Sequence, residues 1–286
     1  HSSLRFLARA AALTWGRRCD GFIAMTNQTI LSLNMLDLHH EGPETYQNMW
    51  QKSRSIWTYL YRNYGQDYDL FHLGGDDMYV IPENLKRKYS NVVQSMLVNT
   101  SSSNTTEATY PPPVYMGQWL PHGPDKMFVG GGGGYTLNKP ALDVLVEEVL
   151  PLCHAHLEAP HEDRLLSNCL QSVGGIPPQD TRDPESAEQT YHDTDPQSLF
   201  VSKAVYPYDP RRRRASFHSK AMAYWEGLPH PLHPETTVGP RNGIHAAANY
   251  SVSFHKIHYP DFMVRLHVLL FGGLCPPNTG FAKAVA

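Results

Sequence analysis

A mixed α/β fold is predicted for this chain, because helical and strand-like hydrophobic patterns alternate along it. Apolar residues at Tyr46, Met49, Trp50, Ile56, Trp57, Leu60, Tyr61 and Tyr64 recur with helical spacing, and Gly65 follows as a stop. The run Asp69-Leu70-Phe71-His72-Leu73 is short and apolar, which suits a buried strand, and Gly74-Gly75-Asp76-Asp77 breaks it. Pro82 then stands where a first helical turn tolerates it, ahead of Glu83-Asn84-Leu85-Lys86. Helix, strand, acidic turn, helix is the order of an α/β domain. The chain has 286 residues, 41% of them hydrophobic and 11% aromatic, enough to bury the core of one large domain or of two closely joined halves.

The remaining elements follow from the same patterns. Residues Asn99 to Pro113 are rich in Ser, Thr and Pro and read as an exposed insertion. Val114 to Trp119 is extended, and Gly130 to Gly134 is an uninterrupted glycine run. A helix is expected from Pro140 to Leu150, with Leu142, Leu145, Val146 and Val149 on one side, and another over Arg164 to Leu170. The acidic, proline-rich stretch Pro177 to Pro196 reads as loop or partial disorder. A strand over Tyr250 to His255 and an apolar helix over Pro260 to Phe271 complete the pattern.

Composition excludes some functions. With 27 acidic and 24 basic residues the formal charge is −3, and the single basic run, Arg211 to Arg214, reads as a solvated loop face, so nucleic acid is not an expected partner. No stretch reaches the roughly 18 to 20 apolar residues that span a bilayer; Met263 to Leu270 is interrupted by Arg265 and His267. The sequence starts at His1, so an upstream signal or anchor is expected to lie outside it. Cys19, Cys153, Cys169 and Cys275 form no CxxC pair. Sequons at Asn27, Asn99, Asn104 and Asn249 exceed the roughly one or two expected by chance and point to the secretory pathway, where thiols can be oxidised.

Four groups of residues could carry chemistry, and each has a plainer reading beside it. Asp76-Asp77 sits at the carboxyl end of a strand, where open α/β sheets bind ligands and where carboxylates can hold a hard cation against a diphosphate, or it is a solvated turn. The glycine run permits close approach of a ligand to the backbone, or it is a flexible hinge; it fits neither GxGxxG nor a P-loop. Glu162-Asp163 offers a general base, or it caps a helix. His255 ends a strand pattern and could complete a metal site built on carboxylates, although one histidine among 16 is commonly no ligand.

The order of these pieces carries a resemblance. Thr14-Trp15-Gly16-Arg17-Arg18-Cys19, Asp76-Asp77-Met78-Tyr79-Val80 with Asn84-Leu85, Gly131 to Tyr135 with Leu137 and Lys139, Glu162-Asp163 with Cys169, and Val252-Ser253-Phe254-His255 are similar to successive blocks of the core 1 β1,3-galactosyltransferases of glycosyltransferase family 31. The resemblance spans Ala8 to Phe271. It implies a GT-A fold, a Rossmann-like mixed sheet flanked by helices that lacks its first strand here, as a single domain over residues 1–286. Residues from about 1 to 130 would bind the nucleotide-sugar, and those from about 131 to 286 would bind the acceptor and carry catalysis.

The resemblance also implies roles. Asp77 matches the metal-binding aspartate of the DxD motif, His255 an additional ligand to Mn²⁺, and Asp163 the catalytic base of an inverting transfer. Trp15, Asp76, Gly132, Gly133, Gly134 and Tyr135 would lie near the nucleotide-sugar, and Cys153 would pair with Cys169. The implied donor is UDP-galactose and the implied acceptor the 3-hydroxyl of O-linked N-acetylgalactosamine on a glycoprotein or glycopeptide. The implied location is the Golgi lumen, reached through an N-terminal membrane anchor outside this chain, and a homodimer is compatible with the resemblance. Gly75 stands where the family has the first aspartate of its acidic triplet, and Tyr224-Trp225 only loosely echoes its aromatic acceptor segment. A catalytically silent folding chaperone and a Fringe-like N-acetylglucosaminyltransferase are the alternative expectations.

Overall fold

The computed structural model describes residues 2–101, 111–121, 127–184, 188–196, 228–229, 237–238 and 250–273. Arg211 to Arg214, Tyr224-Trp225, Asn104, Asn249 and Cys275 lie outside the described residues. The fold is mixed α/β, as expected, with six α-helices among those residues. They are α1 (Ser2–Leu13), α2 (Met49–Tyr64), α3 (Pro82–Ser101), α4 (Lys139–Val144), α5 (Glu162–Ser172) and α6 (Pro260–Phe271). No helix among the described residues is long and apolar enough to cross a membrane.

Two three-stranded sheets organise the interior. In the first, β3 (Leu70–Leu73) and β5 (Tyr115–Pro121) flank β6 (Met127–Asn138), all antiparallel. In the second, β10 (Ser253–Phe254) lies between β4 (Tyr79–Val80), antiparallel, and β7 (Tyr191–His192), parallel. A short parallel pair, β1 (Ala24–Thr26) with β2 (Met35–Asp37), and an antiparallel pair, β8 (Leu228–Pro229) with β9 (Thr237–Val238), stand apart.

Strand alternation splits the core in two. Along β5 the Tyr115 side chain enters one apolar cluster, whereas its neighbours Val114 and Met116 enter the other. The first cluster joins Trp50 and Trp57 of α2 to Leu142, Leu166 and Leu170 of α4 and α5. The second joins Leu7, Ala10 and Ala11 of α1 to Leu85 of α3, Tyr79, Phe254 and Met263 of α6. The β3–β6–β5 sheet is therefore covered by α2, α4 and α5 on one side and by the second sheet with α1, α3 and α6 on the other. The spacing Leu7, Ala10, Ala11 is helical, and α1 is an element that the sequence reading did not anticipate.

Local signals account for the helix ends. Asn138 caps α4: its Oδ1 accepts from the Ala141 amide at 3.1 Å, and Pro140 follows in the first turn. The same oxygen accepts from the amide of Val114, just before β5, at 2.8 Å, so one side chain joins helix and sheet. A π-helical turn, Leu145–Val149, extends α4 over the expected span. The helix expected over Arg164 to Leu170 begins earlier, at Glu162, and α3 runs to Ser101, into the expected insertion. The disulfide Cys153–Cys169 closes across 16 positions of sequence and ties the end of that turn to the middle of α5.

Two expectations from sequence are corrected. The glycine run is no hinge: Gly130 to Gly134 lies within β6, and between Gly117 and Gln118 the pairing jumps from Tyr135 to Gly130. Gly131 to Gly134 thus bulge out of the ladder toward the second sheet. The described part of Pro177 to Pro196 is loop apart from β7, as expected, but it is packed rather than disordered, since Thr181, Arg182, Glu188, Gln189, Thr190, Tyr191 and His192 are buried. Polar side chains there act as strand edges. Gln189 Oε1 accepts from the Trp119 amide at 3.2 Å while its Nε2 donates to the Trp119 carbonyl at 2.9 Å.

Candidate functional site

Asp77 and His255, far apart in sequence, meet. The acidic turn follows β3, and its position is set from below: the buried Trp15 indole donates to the Met78 carbonyl at 3.1 Å. From the other side the Ile257 amide donates to the Asp77 carbonyl at 2.8 Å. That contact needs the reversal at Lys256, whose φ of 59° is unusual for a residue with a side chain. The result brings His255 Nε2 to 3.2 Å from Asp77 Oδ1 and His258 Nδ1 to 3.5 Å from Asp77 Oδ2. Burial acts to raise the Asp77 carboxyl, but the hydrogen bond and charge of His255 and the charge of His258 outweigh it and hold it below its ordinary value. Burial and the adjacent Asp77 charge raise the Asp76 carboxyl.

The orientation of the His255 ring fits a cation. Its Nδ1 donates to the Asp193 carbonyl at 3.3 Å and its Nε2 faces the Asp77 carboxylate, donating to it when the ring is protonated and offering a lone pair when the ring is neutral. Two lone pairs at that separation repel unless a proton or a metal ion lies between them. One carboxylate and one imidazole oriented by a carbonyl form a donor set that suits Mn²⁺ or a similar divalent ion.

The glycine bulge connects this corner to the Glu162-Asp163 pair. A Cβ on Gly132 would stand 2.8 Å from His255 Nδ1 and 3.3 Å from Asp193 Cβ; a Cβ on Gly131 would stand 3.1 Å from both Asp163 Cβ and Glu162 Oε1. Because the two glycines are consecutive, the two corners lie within about 13 Å of each other. Gly133 packs against Tyr191 and His192, and its carbonyl accepts from Ser253 Oγ. Gly134 adopts φ of 73° against His72 and Met78, a conformation that a side chain would strain.

Asp163 binds main chain with both oxygens: Oδ2 accepts from the Gly131 amide at 2.9 Å and Oδ1 from the Arg164 amide at 2.8 Å. Glu162, beside it, has its carboxyl raised to about 7 by burial and by the Asp163 charge. Tyr135 is fully buried between Trp57 and Tyr115, where its hydroxyl feels the charge of Glu162.

The expected residues therefore form two corners and a supporting layer. Asp76, Asp77, His255 and Gly132 make one corner, and Asp163 with Gly131 makes the other. Trp15, Gly133, Gly134 and Tyr135 lie behind them, packed against protein. Sequence reasoning missed His258, whose signal was the His-x-x-His spacing from His255, and it gave Glu162 no part of its own.

Fold and site together define an α/β protein with a carboxylate–imidazole corner beside a carboxylate pair. No family model matches the chain. It is 25% identical over 258 residues, 90% of its length, to glycoprotein-N-acetylgalactosamine 3-beta-galactosyltransferase 1 of Xenopus laevis. The chain spans 60% of that relative's length, so the relationship is a distant, galactosyltransferase-like one.

Proposed function

We propose that the chain is an inverting glycosyltransferase that moves a sugar from a nucleotide diphosphate donor to a hydroxyl of a glycoprotein acceptor. The observation that carries this reading is the 3.2 Å approach of His255 to Asp77 beside the glycine bulge. Asp77 and His255 would hold the metal, and a bound Mn²⁺ would supply neutralisation of the charge on the departing diphosphate. The absence of side chains at Gly131 and Gly132 lets the backbone of β6 approach both corners closely, against Glu162 and Asp163 on one side and His255 on the other. The Glu162-Asp163 pair takes the acceptor's proton as its oxygen attacks the anomeric carbon from the face opposite the diphosphate.

For the particular reaction we propose galactose transfer from UDP-galactose to the 3-hydroxyl of O-linked N-acetylgalactosamine, in the Golgi lumen. Its support is the similarity to the Xenopus enzyme, together with the disulfide and the exposed sequon at Asn27. A panel of UDP-sugars, tested with and without Mn²⁺ on a glycopeptide carrying N-acetylgalactosamine, checks both levels. Metal-dependent formation of a β1,3-galactosyl product is expected. Transfer of N-acetylglucosamine to fucose instead would favour the Fringe-like activity, and no metal-dependent turnover with any donor would favour a chaperone.

Gly75 is the observation that keeps the chaperone in view, because it removes one carboxylate from the acidic turn. A Cβ there would stand 2.8 Å from Asp77 Oδ1. Glycine at 75 therefore leaves Asp77 room to face His255, which favours a working site.

A further inference from the structure

We propose that His258 is a positioning residue for the metal corner: its Nδ1 braces Oδ2 of Asp77, so that Oδ1 is held toward His255 and the cation. The inference rests on the reading of Asp77 and His255 as metal ligands and gives His258 the part of orienting one of them.

The two imidazoles divide the carboxylate between them. His255 Nε2 lies 3.2 Å from Oδ1, and His258 Nδ1 lies 3.5 Å from Oδ2. Because the contacts fall on different oxygens, turning the carboxylate about its last bond breaks at least one of them. Among the described residues no other side chain pairs with Asp77. The acidic turn supplies no brace of its own beside it, since Gly75 has no side chain and a Cβ there would stand 2.8 Å from Oδ1. His258 meets the oxygen that His255 does not, so it acts as an outer partner of the carboxylate and not as a second imidazole on the same ion.

The chain holds this exposed ring in place through its neighbours. The His258 side chain is 64% exposed, yet Ile257 just before it is fully buried, and the Ile257 amide donates to the Asp77 carbonyl at 2.8 Å. Lys256, with φ of 59°, reverses the chain between the two histidines, and both rings thereby reach one carboxylate. On the other side the Tyr259 carbonyl accepts from the Phe262 amide at 3.1 Å, and Met263 of α6 is fully buried. The main chain of His258 is thus tied on both sides, and on one of them to the residue that its ring contacts. A pair this exposed adds little to folding stability, whereas an outer partner of a metal ligand governs metal affinity. The role is therefore visible in metal binding and not in folding.

The test measures Mn²⁺ affinity by the electron paramagnetic resonance of free Mn²⁺, with no donor or acceptor present, for wild type and three substitutions. His258→Ala removes the contact and is expected to weaken binding by about 10-fold. His258→Asn is expected to stay within about 3-fold of wild type, because its amide nitrogen takes the place of Nδ1. His258→Gln, whose amide nitrogen takes the place of Nε2, is expected to bind as weakly as His258→Ala. All three should unfold within about 2 °C of wild type. Electron spin echo modulation of the bound Mn²⁺ should show a single imidazole. Wild-type affinity in His258→Ala, or His258→Asn as weak as His258→Gln, would overturn the proposal; so would two imidazoles on the ion, which would make His258 a ligand. A wild type that binds no Mn²⁺ overturns the metal reading and this role with it. Mn²⁺ binding with the expected pattern of variants but no sugar transfer supports the role of His258 and faults the glycosyl-transfer reading alone.

Discussion

Single atoms decide whether the two corners of the site can form. Gly132 is the sharpest case, since an added Cβ would press on His255 Nδ1 at 2.8 Å and on Asp193 at 3.3 Å, and His255 cannot retreat without losing its carbonyl partner. Gly132→Ala is therefore expected to weaken Mn²⁺ binding by about 10–100-fold, the usual effect of disturbing a partner that orients a ligand, as read by the electron paramagnetic resonance of free Mn²⁺. Gly131→Ala, one residue away, crowds Glu162 and Asp163 instead; it should reduce turnover and leave Mn²⁺ affinity within about 3-fold of wild type. Equal effects of the two changes on metal binding would mean that the corners are not separate. The candidate residues themselves were legible from sequence, because carboxylates, a histidine and glycines in that order match a known series of blocks. Their contacts were not, because a 3.2 Å separation between residues so far apart depends on the turn at Lys256 and on the register of β10 against β4 and β7.

At the scale of elements, α5 is the one on which the site most depends, and three attachments hold it. Tyr115 and Ser167 share a buried hydrogen bond at 2.8 Å, Asp163 grips the bulge of β6, and Cys169 is bonded to Cys153. The disulfide closes a loop with a sequence separation of 16, for which the chain-entropy argument gives about 3 kcal/mol. Replacing both cysteines by serine should lower the unfolding midpoint by about 5–10 °C in calorimetry, with a smaller loss of Mn²⁺ affinity than of turnover, since α5 carries the carboxylate pair and not Asp77. An unchanged midpoint would show that packing of Leu166 and Leu170 holds α5 alone. Pro82 at a first turn marked α3, and helical periodicity found α2 and α4 because their apolar residues repeat against a core. It missed β7 because Thr181, Gln189 and Thr190 bury polar side chains that bond to main chain, which composition alone reads as loop.

For the whole molecule, buried histidines shape the response to acid. His72 and His192 are each lowered to about 4 from an ordinary 6.5, in both cases chiefly by burial. As pH falls below that ordinary value the unfolded chain takes up protons that the folded chain refuses, so stability is full above it and is lost progressively down to about 4. Glu162 acts in the opposite sense: the folded chain keeps its proton up to about 7, and the stability this gives is lost as pH rises toward that value. Two histidines against one glutamate leave a net loss of stability in acid. Urea unfolding should show the stability advantage of wild type over His192→Gln shrinking as pH drops from 7 to about 4.5; a difference independent of pH would contradict a neutral buried His192. The sequence by itself determined the α/β class, most helices and the residues on which chemistry can be built, because periodicity and residue type are local properties. Tertiary structure alone decided that the glycines form a bulge and not a hinge, that Asp77 faces His255, and that Glu162 and Asp163 have different surroundings. Each of those depends on what distant strands and helices bring within a few ångströms, and burial and charge act on an ionisable group only at that range.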